Sequence, residues 1–117
     1  MNKKEGYEYA VNTGIVNEET SFMKLSFSLM KVKTLSLGEK VTLSLILSYA
    51  NRNMDFFMSN NGIGDILAID RSSIARIINS LKEKELIYTY NEYGKEGSGT
   101  RRYIRINKKN YNNLIGK

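Results

Sequence analysis

Residues 59–87 constrain this chain more than any other stretch, because two short apolar-striped segments meet there at a three-residue corner. The second segment places Ile74, Ile77, Ile78 and Leu81 at the i, i+3, i+4, i+7 spacing of one buried helical face. The opposite face carries Ser72, Arg76, Asn79 and Glu83, with Arg71, Ala75 and Ser80 near its edges. Small polar side chains around one long cation suit entry into a nucleic-acid groove. An ordinary solvated face has the same composition, so the rest of the chain must decide.

The first segment predicts a helix over residues 60–67, capped by Ser59, with Ile63, Ile66 and Leu67 turned inward. Gly62 and Gly64 weaken it and suit a close approach by another backbone. Ala68, Ile69 and Asp70 form the corner, and Asp70 is the expected N-cap of a helix over 71–84. Upstream, Ser36 followed by Glu39 is a capping-box signature, predicting a helix from Leu37 to Ala50. Val41, Leu45, Ile46 and Tyr49 line one side of it, and Leu43 and Leu47 widen the stripe. Phe56, Phe57 and Met58 read as one edge strand. Residues 22–30 are either a short strand or an extended approach to a helical turn.

Downstream, Leu86 to Tyr90 and Arg101 to Asn107 alternate on either side of a glycine-rich loop, the pattern of a β-hairpin. Arg102 shares its parity with Ile104 and Ile106, which face the core. The expected organisation is an arm over residues 1–21, available for self-association, a domain over 22–109 and a basic tail over 110–117. One helical turn carrying Tyr111, Leu114 and Ile115 is expected near that tail.

Cysteine and histidine are both absent, which removes disulfides, thiol nucleophiles, imidazole bases and most transition-metal sites. The carboxylates Glu18, Glu19, Asp55, Asp65 and Asp70 are scattered, without a two-metal spacing. The expectation is a non-enzyme without cofactor or metal. No apolar run approaches a membrane span and the start lacks a signal-peptide core, so a cytoplasmic protein without membrane contact is expected. The net charge of +6 is unevenly placed: residues 71–117 hold 11 Lys and Arg against 4 Glu. Residues 1–70 are slightly acidic, so the excess points to a polyanionic partner.

The corner Leu67-Ala68-Ile69-Asp70-Arg71-Ser72-Ser73-Ile74 resembles the Leu-Gly-Val-Ser-Arg-Ser-Thr-Val corner of bacterial winged helix-turn-helix proteins. Ala68 departs from the usual glycine, which suits a turn whose backbone there is not left-handed. Residues 22–87, including Phe22-Met23-Lys24-Leu25 and Leu35-Ser36-Leu37-Gly38-Glu39-Lys40, resemble modules of plasmid and phage replication and maintenance proteins of low-GC Gram-positive bacteria. The resemblance implies an α+β winged helix-turn-helix, with a three-helix core, a hairpin wing and a short extra strand.

It further implies double-stranded DNA as partner and the helix over 71–84 as reader, with Arg71, Ser72, Ser73, Arg76 and Asn79 in contact. Arg76 would take guanine and Asn79 adenine in bidentate fashion, while Ser72 and Ser73 suit phosphate or adaptable base contacts. Lys95, Arg101, Arg102 and Arg105 in the wing, with Lys108 and Lys109 beyond, would clamp phosphate or enter a minor groove. The implied role is at an origin of replication or conjugative transfer, with several copies on DNA or other proteins of such a complex. A small transcriptional regulator is the alternative. A protein-binding winged helix would replace the basic surface with an apolar one, and a single-strand binder would space exposed aromatics along a groove.

Overall fold

Three helices end on left-handed residues that are not glycine, and these stops set the path of the chain. The computed structural model describes residues 23–93 and 99–116; the expected arm over 1–21 lies outside them. Helix α1 (Phe27–Met30) is a single turn capped by Ser26, reached through an extended approach. Helix α2 (Leu37–Ala50) starts on the expected capping box: Glu39 N–H donates to Ser36 Oγ at 3.1 Å and Ser36 N–H donates to Glu39 Oε1 at 3.0 Å. Helix α3 (Asn60–Leu67) is capped by Ser59 and helix α4 (Arg71–Glu83) by Asp70. Strands β1 (Ile87–Tyr93) and β2 (Thr100–Ile106) form an antiparallel hairpin, followed by helix α5 (Lys108–Leu114).

The expected edge strand at 56–58 is reduced to one bridge, Phe56 to Ile104 on β2. The hairpin extends further than its alternation suggests, because β1 runs on to Tyr93. Helix α5 is longer than the single expected turn, and Tyr111, Leu114 and Ile115 pack against the core. A boundary at 109 therefore falls inside a helix.

Leu43, Ile63, Ile74 and Leu81 are fully buried where α2, α3 and α4 meet, and Ile104 closes the core from the hairpin. Each such side chain contributes about 1.5–3 kcal/mol by leaving water. Ile74, Ile78 and Leu81 bury the α4 stripe as its spacing predicts, with Ile77 partly buried. On α3 the prediction fails at Ile66, which is 57% exposed. Ile63, Gly64 and Leu67 fill the inward sector of this short helix, and Ile66, at its edge, is left in solvent.

The stops are Asn53, Ala68 and Glu85, with φ of 56°, 56° and 57°. After each, the next residue donates back across the helix end: Met54 to Tyr49 O, Ile69 to Gly64 O and Leu86 to Leu81 O. Ala68 thus stands in the left-handed region, so the condition under which alanine would replace glycine there without strain is not met. Alanine holds that conformation at a cost of about 1–2 kcal/mol, sustained by the packing around the corner. Gly64 is the reason the corner is tight: a Cβ there would collide with the Ile69 carbonyl oxygen. That carbonyl is the close backbone neighbour the glycine pair suggested.

Candidate nucleic-acid interface

The predicted contact residues divide into two groups that sit in different surroundings. On α4, Arg71, Ser72, Arg76 and Asn79 are exposed, and Glu83 is exposed at the far end. The first turn is internally bonded. Asp70 accepts the Ser73 N–H at 3.0 Å and the Ser73 hydroxyl at 2.6 Å, and Ser73 Oγ in turn accepts Arg76 Nη2 at 2.9 Å. The bonds from the Ser73 hydroxyl and N–H, with the Arg76 charge beyond, hold the Asp70 carboxyl below its usual range. This carboxylate occupies the helix N-terminus, where a phosphate would otherwise bind. Ser73 is therefore placed as a link that orients Arg76, and Ser72 is the hydroxyl presented outward.

The buried side of α4 is fixed by a carboxylate that sequence reasoning assigned only to capping. Glu39, 6% exposed, accepts from Lys84 Nζ at 2.7 Å and from Ser80 Oγ at 2.9 Å through its second oxygen. Lys84 also donates to Thr34 O at 3.2 Å. Burial opposes ionisation of Glu39, but the bonds from Lys84, Ser36 and Ser80 and the Lys84 charge outweigh it, so its pKa is lowered. The α2 cap and the C-terminal half of α4 thus share one anion. A hint existed in the sequence, since Ser80 and Lys84 lie one turn apart on the same edge of α4. Gly38 admits the helix beside it: a Cβ there would stand 2.9 Å from Ile77 Cδ1.

In the hairpin, the arginines bind the protein itself. Arg102 is partly buried and donates to Asn60 Oδ1 at 2.8 Å and to Met58 O at 2.9 Å. Burial lowers its pKa. Its shared parity with Ile104 and Ile106 was the sequence signal for this inward course. Arg105 pairs with Asp55 at 3.1 Å and donates to the Tyr90 hydroxyl. Arg101 is exposed, with its guanidinium carbon 4.3 Å from the centre of the Phe57 ring. Lys95 lies outside the described residues. Lys108 and Lys109 are exposed in the first turn of α5.

The outward face of the hairpin is aromatic. Tyr90 and Tyr103 stack at 5.1 Å, and Phe57 meets Tyr103 edge-on at 5.9 Å. Residues 55 and 57 stand opposite 105 and 103 across the Phe56 bridge, so Phe57, Tyr103 and Tyr90 form one row. Each of these rings lies against a neighbour, and Phe57 and Tyr90 remain exposed.

Compared with known proteins, the chain matches no family model and no curated sequence. Among the described residues, no helix is long and apolar enough to cross a membrane. The same residues hold no group of three His, Cys, Asp or Glu placed to bind a metal ion.

Proposed function

We propose that this chain is a winged helix-turn-helix protein that binds double-stranded DNA in a sequence-specific manner. Helix α4 is its reader, and the protein has no catalytic activity. The observation that carries the reading is the division of α4. Ile74, Ile78 and Leu81 are buried, while Arg71, Ser72, Arg76 and Asn79 stand outward on a helix that follows a tight corner. The hairpin and the basic second half of the chain support it.

In this reading the N-terminal half of α4 lies in the major groove. Arg76, pre-set by Ser73 and Asp70, donates two bonds to guanine O6 and N7, and Asn79 exchanges bonds with adenine. Arg101 is the hairpin cation best placed to meet phosphate, whereas Arg102 serves by holding the hairpin to the start of α3. The role we favour is at an origin of replication or conjugative transfer on a plasmid or phage, with operator binding as the second reading.

Selection of duplexes from a random pool by the full chain tests the proposal. A common motif is the expected result, with affinity falling steeply as salt rises. Footprinting on the DNA beside the gene then separates an origin from a promoter. Recovery of no motif, or a preference for single strands, would overturn the reading.

A further inference from the structure

Strand β1 presents an open edge with an unusual composition. The only bridge beyond the hairpin joins Phe56 to β2, so β2 is the inner strand and β1 the outer one among the described residues. Natural edge strands are commonly protected by lysine, proline or inward charge. The hairpin cations Arg101, Arg102 and Arg105 all sit on the inner strand, while β1 reads Ile-Tyr-Thr-Tyr-Asn-Glu-Tyr, with neither Lys, Arg nor Pro. Its one charge, Glu92, stands opposite Arg101. An open groove lined by Lys82, Ile87, Tyr88 and Thr89 runs beside the first half of the strand.

The hydrogen-bond parity shows what the edge offers. Ile104 N–H donates to Phe56 O, and Asn107 N–H donates to Leu86 O. Backbone polar groups alternate sides along an antiparallel strand, so Tyr103 and Arg105 turn theirs towards β1. Their register partners Tyr90 and Tyr88 turn back to meet them. The N–H and C=O groups of Ile87, Thr89, Asn91 and Tyr93 consequently point off the free edge.

We infer that β1 pairs antiparallel with β1 of a second copy, about a two-fold axis between the two Tyr90 residues. This register uses the outward groups as hydrogen-bonded pairs, Thr89 with Asn91 and Ile87 with Tyr93 of the second copy. Tyr90 meets its own counterpart at a non-hydrogen-bonded position, where side chains lie closest. Tyr88 meets Glu92, so no like charges oppose one another. The row Phe57, Tyr103, Tyr90 continues into the same row of the second copy, and Tyr93, 83% exposed, gains an isoleucine neighbour. A contact of this kind is isologous and closes at two copies. Resting on the DNA-binding reading, one consequence follows: paired α4 helices would select an inverted repeat.

The dimer itself is tested without DNA. The chain has no cysteine, so Tyr90→Cys introduces its sole thiol at a position where the two Cα atoms would fall within disulfide reach. Mild oxidation of the full chain should give a covalent dimer with Tyr90→Cys and not with Ser72→Cys on α4. Sedimentation of the wild-type chain should give twice 13.4 kDa. Asn91→Pro removes an outward N–H from each copy and spares the hairpin, and should weaken the dimer roughly thirtyfold with an unchanged circular-dichroism spectrum. If that variant is misfolded, the cross-linking result decides. A monomer at every concentration overturns the inference. So does a dimer that Tyr90→Cys fails to cross-link, which would place the contact elsewhere. Failure to find a DNA motif would leave these outcomes unaffected.

Discussion

On α4, Arg71, Ser72, Arg76 and Asn79 stand free of the core on a helix whose other face is anchored by fully buried Ile74 and Leu81. On the hairpin, Arg101, Arg102 and Arg105 each lie against the segment Asp55 to Asn60. The two regions contribute to the same basic half of the chain, yet their cations do different work. Formal charge along a sequence measures what a surface carries, whereas partners decide what it can offer. Arg102 and Arg105 brace the hairpin, so the helix has the stronger claim to contact a polyanion.

Arg102→Ala probes this difference most strongly. Loss of two charge-assisted bonds and an unpaired Met58 carbonyl should lower the free energy of unfolding by about 2–3 kcal/mol in denaturant titration. Arg76→Ala on exposed α4 should change stability by no more than about 0.5 kcal/mol. Equal losses would break the comparison.

Glu39→Gln tests the seat of α4 and should cost about 1–2 kcal/mol near neutral pH, since Lys84 loses its carboxylate but reaches solvent. The folded pKa of Glu39 is depressed, so its contribution is present above the ordinary carboxylate range and lost as pH falls through the folded value. Stability of the wild type should therefore drop on acidification, and the Gln variant should show a shallower drop. Parallel acid limbs would contradict this account of the seat.

Smaller gains are expected where the fold carries a local cost. Ala68→Gly relieves a left-handed alanine at the corner before α4 and should raise stability by about 1 kcal/mol, net of the entropy that glycine adds to the unfolded chain. Thr42→Val removes a buried hydroxyl that has no hydrogen-bond partner among the described residues and should be neutral or stabilising by up to about 1 kcal/mol. Thermal melts of both variants check these signs.

The sequence signals that proved legible were those carried by short-range chemistry. The capping box at Ser36 and Glu39, the caps Ser59 and Asp70 and the stripe Ile74, Ile78, Leu81 each involve residues within two turns of one another. The ends of these helices were legible, but the left-handed backbone at Asn53, Ala68 and Glu85 was not, because none is glycine and tertiary packing imposes it. Ile66 defeated the apolar pattern for a similar reason, as α3 is only eight residues long and Gly64 takes a buried position. At the candidate site, the outward set on α4 followed from periodicity. The engagement of Glu39 with Lys84, and of Arg102 with Asn60, spans more than forty residues of sequence and needed the fold.

The central claim is that α4 reads DNA, and Arg76 tests it most directly. On a selected duplex, Arg76→Ala should lose about 1–3 kcal/mol of binding free energy and relax the preference at one base pair. Its affinity for random duplex should fall much less, with the thermal midpoint unchanged. Equal losses on selected and random DNA, or no loss on either, would contradict the account.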